Sequence, residues 1–224
     1  MAPRLRRGVL VTLEGGEGSG KSALAESLSA LLHDEGYSVR LTREPTGTAL
    51  GYAVKGVLEQ LAGASGAAVT AAAELFLFEA ARAQHVGEVI RPALERGEVV
   101  LCDRFTDSTL AYQGYGRGLS LDHIRACNHI ATEGLVPDLT LLLDVPAEVG
   151  LARASSRPGH EGEGALPDAI GNEPLDFHRR VREGFLALAQ REPKRIVVLD
   201  ASVPFADVGR LAQERVLGHL QHVL

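Results

Sequence analysis

Eight consecutive residues, Gly15, Gly16, Glu17, Gly18, Ser19, Gly20, Lys21 and Ser22, have the composition and spacing of a phosphate-binding loop. Glycines let such a loop turn its backbone N–H groups inward around a polyphosphate, at φ values that a Cβ disfavours. Lys21 offers a cation to the outer phosphates, and the Ser22 hydroxyl offers an oxygen to a magnesium ion. A glycine-rich turn without a ligand would rarely sit between an apolar strand and an amphipathic helix. Here Val9, Leu10, Val11 and Leu13 precede the loop as a buried strand, and Leu24, Leu28, Leu31 and Leu32 follow it as one helical stripe.

The remaining elements must bring further groups to that loop. Short apolar runs at 37–42, 98–102, 139–145 and 196–199 read as four more strands. Helical patterns fall at 49–61, 70–84, 121–132 and 147–156, around Phe177, Val181, Phe185 and Leu188, and around Val208, Leu211, Ala212 and Val216. A helix over 86–95 has to accommodate Pro92, which predicts a kink or break near Arg91. The stretch 106–118 is polar, and 157–172 has no apolar period, which fits a lid or a surface loop. Strands alternating with helices predict an α/β fold, one doubly wound, five-stranded parallel sheet in a single domain.

In such a sheet, ligands lie beyond the carboxyl ends of the strands. Glu17 and Lys21 follow the first strand, Arg43 the second, and Asp103 and Arg104 the third. One phosphate-binding loop accounts for one polyphosphate, so Arg43 and Arg104 point to a second anion beside it. Phosphoryl transfer between two phosphorylated molecules matches that charge pattern. An acceptor phosphate is already ionised at neutral pH and needs no general base; it needs cations to offset repulsion and to stabilise the oxygens in flight.

Composition narrows the field. A net charge of −6 argues against a nucleic-acid binder. Cys102 and Cys127 fit no metal-ligand or CxxC spacing, and His123, His129 and His178 read as ordinary surface or helix residues. The basic start, Met1 to Arg7, leads into an apolar run that Glu14 interrupts, and no segment reaches membrane-spanning length. A cytoplasmic protein is expected.

The segments LEGGEGSGKS, TREPTGT, ELFLFEAAR, CDRFTDSTLAYQGYGRG, PDLTLLLDV and LDFHRRVREGF together resemble the bacterial thymidylate kinase family along nearly the whole chain. The resemblance implies a P-loop kinase fold, phosphorylation of dTMP to dTDP by ATP with Mg²⁺, and a homodimer. It implies catalytic roles for Lys21, Arg104, Glu17 and Arg157, with the loop Gly15–Ser22 and Arg153 at ATP. Phe78 would stack on thymine and Arg82 would hydrogen-bond its edge. Arg104, Arg43 and Ser108 would serve the acceptor phosphate side, with Tyr112 and Gln113 along the deoxyribose and base. Ser22 and Asp103 would stand near the metal.

Some family members carry an arginine in the loop and others carry catalytic arginines in a lid. Gly18 makes this chain resemble the second type, with a lid at about 153–173. Three departures accompany the resemblance: Asp168-Ala169-Ile170-Gly171 where Asp-Arg-hydrophobic-Glu is usual, an additional 158–164, and Thr46 in place of a glycine. Two other readings remain, a kinase for another nucleoside monophosphate and a nucleotide-binding regulator without catalysis, the latter suggested by Ala169 and Gly171.

Overall fold

The computed structural model describes residues 5–63, 69–156 and 171–223. Five parallel strands form one sheet in the order β2-β3-β1-β4-β5, with β1 Val9–Glu14, β2 Val39–Arg43, β3 Val99–Asp103, β4 Leu139–Asp144 and β5 Ile196–Asp200. The order places β1 at the centre, where the chain first winds towards β2 and later towards β5. The crevice at such a reversal is where open α/β sheets bind ligands.

Strand alternation explains both layers. Val9, Val11 and Leu13 face one side, against Leu24, Leu28 and Leu32 of α1 (Lys21–Asp34) and Val208, Ala212 and Val216 of α9 (Phe205–Gln221). Leu10 faces the other, with Val100, Cys102, Phe105 and Ile90. Further along that side, α8 (Leu175–Arg191) buries Phe177, Val181 and Phe185 against Leu142 and Tyr112. Each fully buried leucine contributes about 2 kcal/mol, so the strip under β1 is well anchored.

Of the kink or break expected near Arg91, the break does not occur, and the helical ladder is instead irregular just before it. Helix α3 (Ala71–His85) runs into a π-helical turn, Val86–Ile90, which continues as α4 (Arg91–Glu95) with Pro92 in its first turn. The widened ladder just before it, in which the Arg91 N–H reaches back to the Val86 carbonyl, accommodates a residue that has no N–H to donate. The polar stretch after β3 is also helical: α5 Thr106–Thr109, then a second π-helical segment, Leu110–Gly116. The remaining helices are α2 (Ala49–Gly63), α6 (Leu121–Thr132) and α7 (Ala147–Ser155). Among the described residues, no helix is long and apolar enough to cross a membrane.

Candidate active site

The glycine loop leaves β1 and enters α1 at Gly20, which is left-handed at φ 97. Lys21 folds back over the loop: its Nζ donates to the carbonyls of Gly15 at 3.1 Å and Gly16 at 2.7 Å, and to Ser19 Oγ at 3.1 Å. Burial, then the nearby charge of Arg104, pushes Lys21 down to about 8, against the pull of Glu17, Asp103 and Glu14. Gly18 also takes a positive φ, and a Cβ there would lie 1.9 Å from the Gly150 carbonyl of α7. Loop and helix backbones therefore touch, and an arginine at 18 would displace α7.

From β3 the chain turns sharply at Arg104, whose φ of 72 is left-handed. For a residue with a long side chain this costs of order 1–3 kcal/mol, and it persists only where the surroundings enforce it. Its guanidinium donates through Nη2 to Glu17 Oε1 at 2.6 Å and through Nη1 to the Gly15 carbonyl at 3.2 Å and Ser108 Oγ at 3.3 Å. It also lies 5.0 Å from the Tyr112 ring centre. Burial alone would raise Glu17, but Arg104, Lys21 and the Tyr112 hydroxyl at 3.0 Å hold it down at about 2. The same carboxylate adds to the burial that raises Tyr112, so the phenol stays protonated.

Ser22 Oγ donates to Asp103 Oδ2 at 2.6 Å, while Asp103 Oδ1 is buried without a partner. An orphaned carboxylate oxygen beside a hydroxyl and a phosphate-binding loop fits a hard divalent cation. Among the described residues, no three carboxylate, cysteine or histidine side chains gather into a closed cage. A Mg²⁺ held here would take its other oxygens from phosphates and water, as that ion commonly does.

Beside Arg104 opens a cavity of about 160 Å³. Phe78, Arg82, Gln113, Tyr112, Ser108 and Glu17 line it together with Arg104. Phe78 is half-buried, packed against Val54 and Leu58 of α2, which leaves ring surface for the cavity. Arg82 lies on the same helix one turn on, and each of its five N–H groups is committed. Nε and Nη2 go to Glu44 Oε2, Nη1 to Glu79 and Asn128, and Nη2 also to the Phe105 carbonyl. A base atom seeking Arg82 must share or displace one of these bonds. Replacing Arg82 by alanine leaves Glu44 and Glu79 buried without their cation. Urea unfolding should show a loss of about 3–5 kcal/mol.

A family model described as thymidylate kinase matches residues 13–211. The thymidylate kinase of Desulfovibrio desulfuricans is 54% identical over 200 residues, covering 89% of this chain and 91% of that protein. The chain belongs to the thymidylate kinase family. Its relatives include the thymidylate kinase of Deinococcus radiodurans, 48% identical over 89% of this chain and 92% of that protein. The solved thymidylate kinase of Ehrlichia chaffeensis superposes with a TM-score of 0.72 at 30% identity, covering 94% of this chain and 98% of that one.

Not every residue expected in a thymidylate kinase site converges on the cavity. Arg43 sits beside Asp103 in the sheet register, but its side chain is exposed and does not line the cavity. Arg153 donates to the Ala201 carbonyl at 2.8 Å in a shallow depression with Glu148 and Ser156. Arg157, the 158–164 piece and Asp168, Ala169 and Ile170 lie outside the described residues. Arg182 closes a two-bond pair with Asp144 at 2.7 and 2.9 Å, and Arg179 pairs with Glu148. His178 is buried, lining a small void with Gly16 and Glu17, and its Nε2 has no partner.

Glu14, Glu44, Glu79 and Asn128 join the site without being among the residues expected there from the sequence. For Glu14 a signal was present: a carboxyl ending an otherwise apolar central strand must find partners or lose its charge. For Glu44 and Asn128 the only clue was sequence separation from Arg82, which does not reveal contact.

Proposed function

We propose that the two halves of this rim hold the two substrates of a dTMP kinase, ATP on the glycine loop and dTMP in the neighbouring cavity. The activity follows from the family: the chain phosphorylates dTMP to dTDP with ATP. One observation carries the assignment of sites. The Gly15 carbonyl accepts from both Lys21 and Arg104, so the cation of the donor site and the cation of the acceptor site meet on one oxygen. Two phosphates drawn to those cations would stand close enough for transfer.

Lys21 and the loop N–H groups would draw charge from the β- and γ-phosphates of ATP, and Arg104 would hold the dTMP phosphate with Ser108 beside it. Phe78 offers its face to thymine, Arg82 and Gln113 offer polar edges, and the Tyr112 ring closes the sugar side against a ribose 2′-OH. Ser22 and Asp103 would hold Mg²⁺, which shields phosphate charge when bound. Arg43 and Arg153 are proposed as outer contacts to dTMP and ATP, and Arg157 as the cation that a lid at about 153–173 brings to the transition state. In a coupled assay of ADP release with dTMP, dUMP, CMP and AMP, dTMP should be turned over fastest. Equal rates on AMP would reject the acceptor site as drawn, and tight binding of both nucleotides without dTDP would favour a regulator.

The proposed assembly is a homodimer. On α3, Ala73, Phe76, Ala80 and Ala83 form one exposed apolar stripe, and the neighbouring helices α2 and α6 carry exposed Tyr52 and Ile130. A stripe of that kind favours close helix packing against a second copy. Light scattering should give twice the chain mass, and Phe76→Asp should return it to one. The proposed compartment is the cytoplasm, which supplies both nucleotides and keeps Cys102 and Cys127 as free thiols.

A further inference from the structure

Glu14 ends the central strand, wholly buried, at a position where an apolar side chain would continue the core. Its partners all belong to the turn after β3. Oε1 accepts the N–H of Phe105 at 2.7 Å and that of Ser108 at 3.3 Å, and Oε2 accepts the Ser108 hydroxyl at 2.6 Å. Ser108 Oγ in turn accepts from Arg104 Nη1. The far side of the same turn is held through its carbonyls: Cys102 Sγ donates to Arg104 O, Arg82 to Phe105 O and Asn128 to Thr106 O. Backbone carbonyls share the turn's N–H groups, Leu13 O taking that of Arg104 at 3.0 Å and Phe105 O that of Ser108 at 3.1 Å, while Glu14 supplies the side-chain acceptor for Phe105 and Ser108.

We propose that Glu14 is a positioning residue for the acceptor phosphate, its carboxyl clamping the left-handed turn that presents Arg104 and orienting the guanidinium through Ser108. The inference rests on the reading of Arg104 as the group that holds the dTMP phosphate. Without the clamp, the non-glycine residue at φ 72 has a more comfortable backbone conformation available, and the cation swings away from its aim. Burial, then neighbouring Asp107, raises Glu14, while the hydrogen bonds from Ser108 and Phe105 and the charge of Arg104 pull the other way. Asp107 itself is paired with Arg195.

Calorimetric titration of the full chain with dTMP and with thymidine tests this, because thymidine lacks the phosphate that Arg104 would grip. Glu14→Ala should weaken dTMP by about tenfold or more while leaving thymidine and ATP within about twofold. Glu14→Asp, which draws the carboxyl back by one methylene, should act in the same direction. Variants that bind both ligands like the parent, or lose both alike, overturn the proposal; so does failure of both to fold, which would leave Glu14 a folding role only. Arg104→Ala separates the two levels of inference. If it spares the difference between dTMP and thymidine, the phosphate reading fails; if it abolishes that difference while the Glu14 variants do not, only the role of Glu14 fails.

Discussion

Lys21→Met should lower kcat by about 10²–10³ with the protein still folded. Methionine preserves the length of the side chain and removes only the charge that phosphoryl transfer draws on as its oxygens gain negative character. The wild-type ammonium is held over the loop by three acceptors, so little reorganisation is needed when phosphate arrives. A pH signature accompanies the loss. Lys21 titrates near 8 in the free protein, and a bound polyphosphate stabilises its charged form, which raises that value. Below about pH 8 the site is already protonated and ATP binds at full strength; above it, ATP must bring a proton in, and affinity falls as pH rises. Calorimetry at pH 8.5 in two buffers of different ionisation enthalpy should show net proton uptake in the wild type and little in Lys21→Met. An unchanged kcat, or an uptake that survives the substitution, would remove Lys21 from this role.

Arg104→Ala should reduce kcat/KM for dTMP by about 10²–10³ and change the KM for ATP far less. Lysine should not rescue it. A single ammonium cannot reach Glu17, the Gly15 carbonyl and Ser108 together, as the forked guanidinium does. The same change should be visible in stability. With Arg104 present, Glu17 sits below its unfolded value and contributes stability that is full above about pH 4.5 and is lost as pH falls towards 2. Without Arg104, Glu17 loses the strongest influence holding it down and rises, shrinking that contribution. Unfolding free energies of wild type and variant should therefore differ at pH 6 and converge as pH approaches 2. A difference that stays constant across that range would mean that Arg104 stabilises by packing alone.

The residues that announce chemistry do so because their job constrains their type. A loop that wraps phosphate must be rich in glycine and end in lysine and serine, so Gly15 to Ser22 could be read directly, and the apolar run Val9 to Leu13 before it could be read as a buried strand. Arg104 and Asp103 were legible as strand-end charges, because a doubly wound sheet leaves its carboxyl edges free. The network beneath the cavity was not, because Arg82 meets Glu44 and Asn128 only through tertiary folding. Nor was the backbone contact of Gly18 with Gly150, where two glycines far apart in the chain explain each other. Segment 106–116 hid its helical character because a π-helical run lacks the 3.6-residue stripe that betrays an ordinary helix.

The wide turn at Val86–Ile90 acts as a phase adjuster. Upstream of it, Arg82 and His85 must point at Glu44; at its end and beyond, Ile90 and Ala93 must point into the layer under β3. An α-helix advances about 100° per residue, so shortening this turn by one residue would rotate one of those two groups out of its berth. Evolution can therefore exchange the exposed Gly87 and Glu88 far more freely than it can change the number of residues in the turn.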